Sequence, residues 1–129
     1  MSQTQIVVTP ITARGITRTL VAADLVNHNY FLNVPRGRVI VEIANASDTN
    51  DLIATFDTPG VLEEGDADPG LSVENPPITI GPGVCISVGC LSWRFEQLSP
   101  NLKKVNIAWS GDAVAEDVNP VTVGAFSIG

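Results

Sequence analysis

The sequence predicts an all-β domain, an antiparallel β-sandwich or jelly roll of about eight short strands. Three observations point there. Val, Ile and Thr, the residues that fit a pleated half-buried surface, recur along the whole chain. Nine prolines and eleven glycines punctuate it, giving turn signals about every ten residues. No long stretch has the helical period, and no internal repeat is present.

Residues 5–9 (Gln-Ile-Val-Val-Thr) are apolar and stopped by Pro10, so they read either as an edge strand or as an arm that reaches onto a neighbour. Residues 14–21 alternate weakly and place Arg14 and Arg18 close together. These cations suit a solvated strand face or a contact with an acidic partner. Residues 22–29 are too short and polar for a stable helix and read as a turn, in which His28, flanked by Asn27 and Asn29, points to solvent.

The apolar run 30–34 is followed by the turn Pro35, Arg36, Gly37 and then by residues 38–45 (Arg-Val-Ile-Val-Glu-Ile-Ala-Asn). Val39, Val41 and Ile43 share one side of that extended chain, the mark of a strand with one buried face. The two runs read as a hairpin. Residues 52–58 form the next strand, with Leu52, Ala54 and Phe56 on one face or Ile53 and Thr55 on the other, and end at Pro59 and Gly60.

Glu63, Glu64, Asp66 and Asp68 then fall in a Gly/Pro-rich loop. Calcium takes oxygen ligands from such loops, but the bidentate Glu that an EF-hand spacing requires is missing, and a solvated acidic loop is the simpler reading. Residues 71–73 and 78–80 are short strand segments on either side of Pro76 and Pro77. Val84, Ile86 and Val88 alternate in the next strand, and Leu91, Trp93 and Phe95 in the one after it. With only seven aromatic residues in the chain, these are expected in the core before a stacking platform.

Residues 103–110 have the clearest period of two, with Val105, Ile107 and Trp109 inward, and are expected to form a central strand. After an acidic loop, residues 121–128 are expected to close the domain antiparallel to it. The 129 residues are read as one domain, able to bury roughly two thirds of the unfolded surface, with residues 1–10 available as an N-terminal arm.

Composition narrows function by class. A net charge of −7 repels nucleic acid. No apolar run approaches the ~20 residues of a membrane helix, and the polar start lacks a signal-peptide pattern. Cys85 and Cys90, the only cysteines, fit neither redox nor zinc spacing and are expected as buried free thiols, with a disulfide between them as the alternative. One histidine, His28, leaves no soft-ligand cluster for a metal and no partner set for a nucleophile. Gly-x-Ser-x-Gly and phosphate loops are absent. No catalytic residue, cofactor or metal ligand is therefore assigned, and the chain is not read as an enzyme.

The order of the pieces carries a resemblance. A Thr/Val-rich start leads to Gly37-Arg38-Val39-Ile40-Val41-Glu42-Ile43-Ala44-Asn45-Ala46-Ser47, then Thr58-Pro59-Gly60 and a Gly/Asp/Pro loop. Ile78-Thr79-Ile80-Gly81-Pro82-Gly83, Trp93-Arg94-Phe95 and the strands 105–110 and 121–128 follow. This succession resembles the small β-sandwich decoration, or cement, proteins of tailed bacteriophage heads. The resemblance implies a structural protein made in the host cytoplasm and held on the capsid exterior, which stabilises the shell. Its partners would be the major capsid protein and its own copies, commonly in a trimer. Under that reading the N-terminal residues Gln5, Ile6, Val7 and Val8, with Arg14 and Arg18, attach the protein to its partner. Competing readings are a head-tail joining or tail protein, and a carbohydrate-binding module using Trp93, Tyr30 or Trp109 as a platform.

Overall fold

Alternating apolar residues need a partner layer, and this chain supplies two. The structure, a computed structural model, describes residues 3–12, 19–57, 77–89, 96 and 103–128. Among these are ten strands: β1 Thr4–Gln5, β2 Val8–Ile11, β3 Val21–Ala22, β4 Asn29–Leu32, β5 Val39–Asn45, β6 Leu52–Asp57, β7 Pro77–Ile80, β8 Cys85–Gly89, β9 Lys104–Ser110 and β10 Val121–Ile128. One sheet has the order β1-β4-β9-β6-β7. The other runs β2-β10-β5-β8, with β3 also on β10. The protein is a β-sandwich.

The inward faces are those that period two marks out. Val39, Val41 and Ile43 on β5 and Val121, Val123 and Ala125 on β10 line one layer. Phe31 on β4, Val105, Ile107 and Trp109 on β9, and Leu52, Ala54 and Phe56 on β6 line the other. All are buried in one cluster. Each large aliphatic or aromatic side chain so removed from water contributes roughly 1.5–3 kcal/mol. On β6 the inward set is Leu52, Ala54 and Phe56, and β9 is central in its sheet as its pattern predicts.

Pairing departs from expectation in two places. Residues 30–34 and 38–45 are not a hairpin, because β4 pairs β9 whereas β5 pairs β10 and β8. The chain crosses between layers at Pro35, Arg36 and Gly37, where the Val34–Pro35 peptide is cis. Nor does β10 lie against β9. A short 3-10 helix, Asp112–Ala115, and the turn at Asn119 and Pro120 carry the chain to the opposite sheet. Gly111 starts that crossing at φ 91°, and a Cβ there would lie 2.7 Å from the Asp51 carbonyl oxygen. Period two identifies the buried face of a strand and is silent on which layer holds it.

Two local expectations also change. Cys85 is an exposed free thiol on edge strand β8, since Ile86 and Val88 take the inward positions there. Cys90 lies outside the described residues. His28 is half-buried, at φ 70°, and its Nδ1 accepts the backbone N–H of Trp109 at 3.1 Å. Its ring thus continues the β4–β9 ladder where the β4 backbone has turned away.

Candidate partner-binding surface

The N-terminal segment lies along both layers of its own sandwich. β1 runs parallel to β4, with the Thr4 N–H donating to the His28 carbonyl at 3.1 Å and the Ile6 N–H to the Tyr30 carbonyl at 2.7 Å. The chain then crosses over, and β2 runs parallel to β10, with Val8 opposite Ala125 and Ile11 opposite Ile128. Ile6, at the crossing, is only 2% exposed. Pro10 is accommodated because an edge strand has no outer ladder to feed.

The six predicted contact residues therefore separate. Ile6 is a core residue that anchors the segment, and Val8 packs against the same core. Val7, in contrast, is 73% exposed, and Gln5 is exposed with its Oε1 accepting the Tyr30 hydroxyl at 3.3 Å. Arg14 and Arg18 lie outside the described residues.

Beside this segment is a groove of about 240 Å³, whose rim includes Gln5, Val7, Thr9, Thr19 and Val21. Its position follows from the way β10 divides its outer edge: residues 122–123 pair β3 and residues 125–128 pair β2. Gly124 falls between them. A Cβ at Gly124 would come 2.7 Å from Leu20 Cδ2 and 3.1 Å from the Thr19 carbonyl oxygen, so any larger residue there would make the Leu20 side chain and the 19–20 backbone give way. Among the described residues no ionisable side chain lines the groove, and its described lining offers a partner a mainly apolar surface.

The described ionisable groups nearest to one another serve the fold. Asp24 closes the 24–28 turn, its Oδ1 accepting the N–H groups of Val26 and Asn27, while its Oδ2 accepts the Thr4 hydroxyl. These bonds, the Thr4 one foremost, lower its pKa below the ordinary 3.8. Asn29, buried next to it, accepts the Asp24 N–H and the Trp109 Nε1–H on one oxygen and donates to the Thr4 carbonyl. At the other end of the sandwich, buried Glu96 takes a bidentate pair of bonds from Arg36, both at 2.9 Å, and a third from Asn33. That carboxylate raises the Arg36 pKa above its ordinary value. Among the described residues no three His, Cys, Asp or Glu side chains gather as a metal site.

Stacking platforms are similarly committed. Trp109 is buried, and the Lys104 ammonium sits 4.5 Å from the centre of the Tyr30 ring. Trp93, Phe95 and the acidic stretch 63–68 lie outside the described residues. The buried asparagines Asn29, Asn33 and Asn45 were not anticipated as fold-determining, although a signal existed: each continues the inward register of its apolar neighbours by two residues. Compared with known proteins, the chain matches no family model, no curated protein and no solved structure.

Proposed function

We propose that this chain is a non-enzymatic structural protein that binds the outer surface of a tailed-phage capsid and stabilises the shell, as decoration proteins do. The support is twofold: the succession of strand and turn signals resembles that family, and the sandwich carries an exposed N-terminal edge beside an apolar groove. The groove is the observation that carries the reading. It suits an apolar segment of the major capsid protein, laid along Val7 and Thr9. Self-association, commonly trimeric in that family, would present several such edges to the shell at once. No helix among the described residues is long and apolar enough to cross a membrane.

The deciding experiment counts the protein in purified particles by quantitative peptide mass spectrometry against the major capsid protein. A ratio between about one to three and one to one supports decoration, on the symmetry of closed oligomers tiling a shell. A handful of copies moves the protein to the head-tail joint, and absence rejects the virion reading. The attachment edge is tested separately with Val7→Asp. Its side chain is 73% exposed, so the melting temperature should stay within about 2 °C of the parent while capsid binding drops at least tenfold. Unchanged binding would reject this edge.

A further inference from the structure

We propose that His28 is a pH-sensitive latch on the N-terminal segment: on taking up a second proton its ring releases the Trp109 backbone, and segment 24–29 then loosens its hold on β1. The latch follows from which ring nitrogen is engaged. Nδ1 accepts the Trp109 N–H at 3.1 Å, so the neutral ring carries its one proton on Nε2. A second proton can go only to Nδ1. There it sets a ring N–H against a backbone N–H, two donors with no acceptor between them, and the ring must turn out of the ladder.

Loss of that bond matters because His28 is held against its own backbone preference. Its φ of 70° lies in the left-handed region, which a residue with a Cβ occupies when its surroundings impose it. Three bonds impose it here: the Trp109 N–H to the ring, the His28 N–H to the Asp24 carbonyl at 2.9 Å, and the Thr4 N–H to the His28 carbonyl at 3.1 Å. The same segment holds Thr4 by each of its polar groups. Besides its N–H on His28, the Thr4 carbonyl accepts Asn29 Nδ2 and the Thr4 hydroxyl donates to Asp24. β1 is only two residues long, so these bonds are most of its attachment, and buried Ile6 keeps the chain anchored when residues 3–5 come away.

The charged groups around the ring are few. On its own turn, Asp24 accepts the N–H groups of Val26 and Asn27 and the Thr4 hydroxyl, bonds that keep it ionised far below the range in which an imidazole titrates. β1 brings no ionisable side chain. β4 and β9 bring Tyr30 and Lys104, which face one another, the ammonium 4.5 Å from the ring centre. Asp51, just before β6, and Asp112, just after β9, are exposed. A free imidazole gains its second proton near pH 6.5. The closed latch excludes that proton, so each pH unit below this value favours the open form about tenfold. Gln5 stands on the groove rim, and acid would fray that rim; this consequence rests on the attachment reading, whereas the latch itself does not.

Amide hydrogen exchange on the purified protein, followed by NMR between about pH 5 and pH 7.5, tests it. Corrected for intrinsic exchange, opening at the Thr4 and Trp109 amides should rise roughly tenfold per pH unit below about 6.5, while the Val41 and Val123 amides stay constant. His28→Asn tolerates the positive φ and offers a carbonyl oxygen in place of Nδ1, so its opening should not change with pH. His28→Gly, which tolerates the same φ without any acceptor, should be equally open at every pH. Opening in the parent that is independent of pH overturns the proposal. So does an acid rise that survives in His28→Asn, where Asp24, Asp51 and Asp112 are unchanged and would be its source. A rise shared by Val41 and Val123 would be loss of the whole fold and equally rejects a latch.

Discussion

Asn29 shows how one buried amide holds three chain segments. Its oxygen accepts from the Asp24 backbone and the Trp109 indole, both at 2.8 Å, while its nitrogen donates to Thr4. Removing the amide leaves a buried indole N–H with no acceptor, which costs about 1–3 kcal/mol on top of the lost packing. Asn29→Ala should therefore lower unfolding free energy by roughly 2–4 kcal/mol in urea titration. Asp24 sets an acid limb. Its folded pKa lies below the ordinary 3.8, so between the two values the unfolded chain binds the extra proton and stability rises with pH. The contribution is present above 3.8 and disappears as pH falls through the depressed value. Asp24→Ala should melt lower than the parent at pH 7, and the two melting curves should converge in strong acid; a gap that stays constant with pH would reject the charged turn as the cause.

Strands were legible element by element because a buried face writes itself as period two. Val39, Val41 and Ile43, then Leu52, Ala54 and Phe56, then Val105, Ile107 and Trp109 all point inward as their spacing requires. Their partners were not legible. The residues at Pro35–Gly37 and Gly111–Pro120 look like ordinary turn chemistry, yet they carry the chain between layers, because the neighbour of a strand is chosen by long-range packing. The N-terminal segment was harder, since Ile6 is inward at a point where the chain leaves one sheet for the other and the alternation belongs to neither. Gly111 tests the crossing. It combines φ 91° with a Cβ position 2.7 Å from a backbone oxygen, whereas Gly83 has φ 75° and open space. Gly83→Ala should cost about 1–2 kcal/mol from backbone strain alone. Gly111→Ala adds displacement of the Asp51 backbone and should cost about 3–5 kcal/mol or abolish soluble expression. Equal costs at the two sites would show that the 111–115 segment shifts freely from β6.

At the scale of the molecule, a chain with a net charge of −7 places its described charges unevenly. Six described carboxylates share the end formed by the 24–28 turn, the 46–51 loop and the 112–117 segment, where no described cation offsets them. Their mutual repulsion acts on the folded state, which fixes the three segments together, more than on the unfolded chain, which lets them drift apart. Screening should therefore stabilise the fold. Between about 10 mM and 150 mM ionic strength the screening length falls from about 30 Å to about 8 Å, and relief of repulsion worth roughly 0.5–1 kcal/mol raises the melting temperature by about 2–5 °C. The measurement belongs at low protein concentration, where any association between copies cannot add to the stability of the folded form by mass action. Asp117→Lys places a cation among the carboxylates and should reproduce part of the rise at low salt while flattening the salt response. A melting temperature that falls with added salt at high dilution would mean that attraction within the chain outweighs repulsion at this end, and that the carboxylates are paired by cations outside the described residues.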